Sequence, residues 1–285
     1  LPVDFYVGGA EHAVLHLLYA RFWTKFLYDQ GILPFDEPFL KLRNQGLILA
    51  PDGQKMSKSK GNVINPDDLV REYGADAFRL YEMFMGPFDQ LIAWDPKGIL
   101  GTKRFLQRVW QIFQKLKTQN SKLKTTTQNP KLERKLHQTI KKVTEDIEAM
   151  KFNTAIASMM EYINELQNSN CKLQIEDFKK FLIILAPFAP HFAEELYHQI
   201  EKTDKSIFEE KWPEYDKTLI EEEIITLIVQ INGKVRDQIQ VKKGISEEEA
   251  KEIVLQSEKI QRWLKGKAIK KVIFVKDKLI NFVTR

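Results

Sequence analysis

The chain has 285 residues, 43% of them hydrophobic and 29% charged, enough for two or three domains with their own cores and too apolar for a disordered chain. Its net charge of +5 admits an acidic partner such as nucleic acid, but it also fits a merely charge-rich surface, so the distribution of charge decides more than the total. A single cysteine, Cys171, excludes a disulfide framework and points to a reducing, cytoplasmic setting, no run of 18 apolar residues argues for a membrane span, and the start "LPVDFYVGGAEH" has neither the basic stretch nor the cleavage-like site of a signal peptide.

"VDFYVGG" reads as a buried strand, Val3 to Val7, followed by a glycine pair. Leu15, Leu18, Phe22 and Phe26 then recur at helical spacing from Glu11 to about Gln30, and Gly31 stops the run. "NQGLIL", Asn44 to Leu49, reads as a further strand, and the lysine- and serine-rich stretch "DGQKMSKSKGN" follows it. "NPDDLVREYG" carries the marks of a short helix: Pro66 near its first turn, Asp67 and Asp68 at its positive end, and Gly74 as terminator. "ADAFRLYEMFM" is another helix, closed by Gly86-Pro87.

From about residue 98 to residue 200 the reading is nearly all helix. Candidates run over Lys103–Lys117, Lys131–Met150, Asn153–Gln167, Ile175–Leu185 and Pro190–Ile200, joined by polar segments such as "TQNSKLKTTTQNP". This is the pattern of a helical bundle. After Trp212-Pro213 the grammar changes. "IITLIVQINGKVRDQIQV" is two strands joined at Asn232-Gly233, a strong hairpin signal. "SEEEAKEIVLQ" is a helix with Ser246 as N-cap and Glu249 three residues on, and "KKVIFVKDKLINFV" is a second strand pair. The expected division is therefore 1–98 (α/β), 99–215 (α) and 216–285 (small α+β).

Two stretches can carry chemistry. Gly8 and Gly9 lack Cβ atoms, so a flat ring could lie against that backbone, and the Glu11 carboxylate could accept two hydrogen bonds from a sugar diol. His12 and His16, four apart and roughly 40° around a helix, would face the same way. Ordinary turns also use glycine pairs, helical histidines are often core residues, and the histidine pair has no evident third zinc ligand. In Lys55, Met56, Ser57, Lys58, Ser59, Lys60 and Gly61, mobile cations, hydroxyls and a glycine share one loop after a strand. Polyphosphate is the ligand that wants this mixture; a solvated turn is the alternative.

"KMSKS", Lys55–Ser59, matches the signature of the class I aminoacyl-tRNA synthetases, and "GN" follows as it usually does in them. "YVGGAEHAVLHLLYARF" resembles the leucyl form of the preceding strand–helix unit, "NPDDLVREYGADAFRLYEMFMGP" the stretch after the loop, "LAPFAPHFAEELY" the bundle and "VQINGKVRD" the C-terminal domain of bacterial members. The chain thus resembles the leucyl-tRNA synthetase family over nearly its whole length, in order. The resemblance implies the second half of a Rossmann-like catalytic domain with its KMSKS loop, then a helical anticodon-binding bundle and a small C-terminal α+β domain. It also implies that Lys58 binds the phosphates of ATP with help from Lys55, that Ser57 and Ser59 belong to the same site, and that the Met56 backbone lies near the adenine. Gly8 and Gly9 would face the adenine ring, Glu11 the ribose, and His12 and His16 the leucine side chain. The implied reaction joins leucine and ATP into leucyl-adenylate and pyrophosphate, with Mg2+ on the phosphates, and then transfers leucine to tRNA(Leu).

The family's upstream His-x-Gly-His motif is absent, since His12, His16, His137, His191 and His198 have no such context. The first half of the nucleotide-binding sheet and the editing domain are also missing. One methylene gives only about 1–3 kcal/mol of discrimination, so rejecting near-isosteres usually needs that second site. The chain is then either an excised piece or the small subunit of a heterodimer whose large subunit carries the rest; the break at a motif boundary favours the subunit. In either case the edge beside Val3–Val7 should be apolar unless a partner covers it. Between Lys115 and Lys142 Glu133 is the only acid, which suits RNA or a solvated helix face. Lys234 and Arg236 on the hairpin, with Lys270 and Lys271 on a later strand, read as grips on the tRNA backbone. The rival readings are a synthetase for another aliphatic amino acid or methionine, and a tRNA-binding module without catalysis.

Overall fold

The computed structural model describes residues 1–119, 129–168, 174–220 and 224–284; Cys171 and most of the polar segment after Thr118 lie outside them. The chain forms two compact units, Leu1–Tyr215 and Asp216–Arg285.

In the first unit the opening strand forms later than its apolar run suggests, as β1 (Tyr6–Gly9), while Val3 makes only an isolated bridge to Phe39. β1 pairs in parallel with β2 (Leu42–Gln45), Gly9 opposite Gln45, so both carboxyl ends lie together. The helix expected from Glu11 is broken. Ala10–Val14 closes as a 3-10 turn, Leu15 takes φ −121° and ψ −110°, and α1 runs His16–Asp29. The tighter turn is closed by the Leu15 N–H on the His12 carbonyl at 3.1 Å, a bond one residue too short to continue an α-helix.

"NQGLIL" is likewise two strands. β2 ends at Gln45, and β3 (Ile48–Leu49) pairs in parallel with β4 (Ile92–Ala93), an element the sequence pattern does not announce. The break is at Gly46. Its N–H donates to the Phe88 carbonyl at 2.8 Å, and a Cβ there would lie 1.8 Å from the Gln90 carbonyl oxygen. Only glycine permits that approach.

The lysine loop leads into α2 (Pro66–Tyr73), whose Asn65 cap accepts the Asp67 N–H at 3.2 Å, and then into α3 (Ala75–Phe84). The bundle follows: α4 (Ile99–Gln119), α5 (Pro130–Glu148), α6 (Phe152–Asn168), α7 (Ile175–Leu185) and α8 (Pro190–Glu201). These helices form where the periodicity places them, because their apolar stripes meet in one core that includes Leu136, Ile156, Met159, Phe178, Phe181 and Leu196. α3 contributes Leu80 to that core.

The second unit holds a short helix α9 (Lys217–Ile220), the hairpin β5 (Ile224–Ile231) and β6 (Lys234–Lys242), α10 (Glu247–Gln256), α11 (Glu258–Leu264), β7 (Ile269–Val275) and β8 (Leu279–Thr284). The sheet order is β6-β5-β8-β7, with β5 and β8 parallel. Leu227, Val229, Ile280 and Phe282 face a core shared with Val254 and Ile260 of α10 and α11. The Ser246 capping box forms as read, its hydroxyl accepting the Glu249 N–H at 3.2 Å. Helix α11 is unanticipated.

Candidate active site

Ala50 at the end of β3 is fully buried, and its N–H donates to the Gln54 carbonyl at 2.9 Å, so the chain turns back at Gly53. Lys55 returns to bridge Leu49. Met56 then packs its side chain against the cluster of Tyr81, Trp94 and Ile99. Ser57 is extended, Lys58–Lys60 makes one 3-10 turn, and Gly61 leaves it with φ 65°. The loop therefore stands at the carboxyl end of a parallel strand, where open α/β sheets bind their ligands.

Its polar groups divide into those used internally and those left outward. The Ser57 and Ser59 hydroxyl oxygens are 2.8 Å apart, and the Lys60 ammonium donates to the Gln54 side-chain carbonyl at 2.8 Å. Asn62 accepts the Ser57 N–H at 2.8 Å and donates to the Lys55 carbonyl at 3.4 Å. Lys55 and Lys58 are exposed, and among the described residues neither ammonium has a hydrogen-bond or ion-pair partner. Three lysines that look alike in sequence thus differ in the fold: one is tied down and two are free cations on a braced backbone.

The glycine turn lies at the carboxyl end of β1. The Glu11 carboxylate folds back over Gly9, whose hypothetical Cβ would lie 2.2 Å from a carboxylate oxygen; any larger residue would displace it. A Cβ built on Gly8 would meet the Tyr6 ring edge at 3.5 Å, an ordinary van der Waals contact. The four-residue spacing of His12 and His16 does not put them on one helical face, because the break at Leu15 separates their turns. His16 lies against Tyr6 and Phe39, with ring centroids 5.6 and 6.3 Å away, and both histidines are exposed. A cavity of about 400 Å³ opens elsewhere, between Gly46–Ile48, Glu82, Pro87 and Phe152, and none of the predicted site residues lines it. Burial raises the Glu82 carboxyl above its ordinary range there. Among the described residues no three His, Cys, Asp or Glu side chains gather as metal ligands would, and no helix is long and apolar enough to cross a membrane.

Of the basic stretch expected from Lys115 to Lys142, residues 120–128 lie outside the described residues, and three of its lysines on α5 are paired. Lys131, Lys135 and Lys142 meet Glu165, Glu161 and Asp146 at 2.8, 2.8 and 2.5 Å. In the second unit the four predicted cations share one end of the sheet. Lys234 opens β6 opposite Ile231, Ile231 lies beside Phe282, and Lys271 sits opposite Val283 on the far edge, next to Lys270. Arg236 lies over the ring of Trp263 of α11, its guanidinium carbon 3.6 Å from a ring centroid. Its neighbour Asp237 is occupied by Ser257 and Lys259, and among the described residues the guanidinium has no hydrogen-bond or ion-pair partner. Trp263 was missed by sequence reasoning; the signal that could have found it is one aromatic inside the basic run "KIQRWLKGKAIKK".

Comparison with known proteins gives these parts a common context. Residues 2–95 match the family described as tRNA synthetases class I (I, L, M and V), and residues 129–253 match the anticodon-binding domain of tRNA ligase. The fold is similar to that of a leucyl-tRNA synthetase of Agrobacterium radiobacter K84, solved as a ternary complex with tRNA and LeuAMS. The TM-score is 0.82, with 35% identity over 100% of this chain. This chain spans 38% of the length of that one. The methionyl-tRNA synthetase of Mycobacterium tuberculosis, solved with methionyl-adenylate, shares the fold at a TM-score of 0.52 and 17% identity, over 69% of this chain and 44% of that one.

Proposed function

We propose, for a chain that belongs to the class I aminoacyl-tRNA synthetases of the leucyl type, that it is the part of leucine–tRNA ligase that grips the phosphates of ATP and holds the tRNA. It forms leucyl-adenylate together with a second part that completes the catalytic sheet. The observation that carries this reading is the pair of unpartnered ammoniums, Lys55 and Lys58, on a loop braced at the carboxyl end of β3.

The chemistry follows from that geometry. The leucine carboxylate attacks the α-phosphorus of ATP in line, the bond to the bridging oxygen breaks, and pyrophosphate leaves with that electron pair. No covalent enzyme intermediate is needed, so the protein contributes position and charge. An ammonium on a flexible stem can follow the phosphate oxygens as charge builds on them, and what it gains only at that moment raises the rate. Residues Lys55–Gly61 offer ammoniums, hydroxyls and amides rather than carboxylates, so Mg2+ would be carried in by the nucleotide rather than held by this loop, and would supply further neutralisation of phosphate charge. Gly8 and Gly9 take the adenine, the Glu11 carboxylate swings from Gly9 to the ribose hydroxyls, and Met56 lends backbone near the base while its side chain anchors the loop. His12 and His16 wall the leucine side chain from separate turns. Lys234, Arg236, Lys270 and Lys271 take tRNA backbone at one end of the C-terminal sheet.

Leucine-dependent ATP–pyrophosphate exchange in the completed enzyme tests this. Lys58→Ala should lower the rate by about 10²–10³, the cost of losing one transition-state donor. An unchanged rate overturns the assignment. Exchange driven equally by isoleucine, valine or methionine favours the rival amino-acid specificities, and tRNA binding without any exchange favours the non-catalytic module.

A further inference from the structure

Asn62 makes more of the loop's internal contacts than either lysine assigned to the phosphates. Its side-chain carbonyl accepts the Ser57 N–H at 2.8 Å and its amide donates to the Lys55 carbonyl at 3.4 Å. Those two backbone groups flank Met56, whose side chain is sunk against Tyr81, Trp94 and Ile99. One amide side chain therefore does what a neighbouring strand would do: it satisfies a donor and an acceptor on an extended segment and fixes their direction. The Lys60–Gln54 bond of 2.8 Å closes the same loop outside this ring. The stems of Lys55 and Lys58 grow from the two ends of the clamped segment.

We propose that Asn62 is a positioning residue for the adenylation step, holding the backbone of residues 55–58 so that Lys55 and Lys58 meet the triphosphate without first ordering the loop. The inference rests on the function proposed above. It adds a residue that touches neither nucleotide nor amino acid and acts only through the loop. Without the clamp the backbone must be ordered during each turnover, which lowers kcat. The leucine pocket is built elsewhere, so KM for leucine stays as it is.

The test pairs two readouts. In the completed enzyme, Asn62→Ala should lower kcat for leucine-dependent pyrophosphate exchange about tenfold, the worth of one or two net hydrogen bonds, with KM for leucine unchanged. In this chain alone, amide hydrogen exchange over residues 54–62 should quicken in Asn62→Ala and stay protected in Asn62→Asp, which keeps the acceptor for the Ser57 N–H. Lys58→Ala, which leaves the clamp intact, should retain protection. If Lys58→Ala slows pyrophosphate exchange but Asn62→Ala does not, the inference fails and the function stands. If Lys58→Ala leaves the rate unchanged, the function fails and the inference with it. A rise in KM for leucine that matches the loss in kcat, with protection unaltered, would show a diffuse structural effect and overturn the positioning role.

Discussion

The exposed face of helix α1 gives the proposed contact with a second part a testable strength. It has no buried residue, and Tyr19, Phe22, Trp23 and Phe26 are 63, 60, 56 and 45% exposed, side by side. Among the described residues β1 beside it pairs on one edge only, whereas parallel sheets occur with both faces covered and their strands flanked. On the function proposed above, the occupant of this surface would be the second part that completes the catalytic sheet. Phe22→Ala removes one of its largest open side chains. A buried aromatic covers 150–250 Å², so about 120 Å² of Phe22 remains to be covered, worth about 3 kcal/mol at ~25 cal/mol per Å². Titrating the complementary part against this chain, with Trp23 fluorescence as the signal, should therefore show Kd weakened by about a hundredfold. The melting temperature of the unpaired chain should change little, because the ring is mostly exposed within it, edge-on to Trp23. An unaltered Kd, or a substitution that destabilises the free chain instead, would refute the argument. Dimerisation of this chain that Phe22→Ala abolishes would assign the surface to a second copy.

Two further outcomes follow from charge. Glu37 accepts from Arg21 and sits 3.1 Å from Lys25, and those two cations lower its carboxyl to about 2. A carboxyl depressed in the fold contributes above its unfolded pKa and is lost as pH falls, so the segment around Glu37 should release α1 between about pH 4.5 and pH 2, read by amide exchange over residues 33–41; release on raising the pH would contradict it. Arg236→Ala should reduce the slope of log affinity for tRNA against log salt by about one, and Trp263→Ala should weaken binding through the loss of Arg236's support. A slope that ignores Arg236 would place the backbone contacts elsewhere.

Features set by near neighbours in the chain were legible, and those set across it were not. The Ser246–Glu249 box, the start of α2 at Pro66 with its stop at Gly74, and the Asn232-Gly233 turn each need only a few consecutive residues, and each forms as read. The bundle helices were legible because a 3.6-residue apolar period means the same thing wherever the partner helix comes from. The break in "NQGLIL" was not, since its cause is the backbone at Gln90, far along the chain. Nor was the cap of α8: its own N-cap, Ala189, offers no side-chain acceptor, and the carboxylate that accepts the Phe192 N–H at 2.6 Å is Asp76, 116 residues earlier. At the site, the signature told which residue types were present. It did not tell that Lys60 is tied to Gln54, that Asn62 braces the segment before it, or that the helix breaks between His12 and His16.

Helix α3 explains how mobile cations can be reliable. Its Tyr81 lines the cluster that receives Met56, and the same hydroxyl donates to the Asp95 carbonyl at 2.7 Å and accepts the Asp95 N–H at 3.2 Å, fixing the chain as it leaves β4. Its Leu80 enters the bundle core, Asp76 caps α8, and Arg79 donates to the Pro187 carbonyl at 3.0 Å. The floor of the loop and the helical bundle are thus two faces of one helix. In the role proposed for Lys55 and Lys58, a charge placed a fraction of an ångström wrong would lose much of its worth to the transferring phosphoryl group, so the freedom would have to stop at the side chain. Packing Met56 into α3 and bracing the backbone with Asn62 confines the motion to the lysine stems, which is why a loop so polar has so apolar a root.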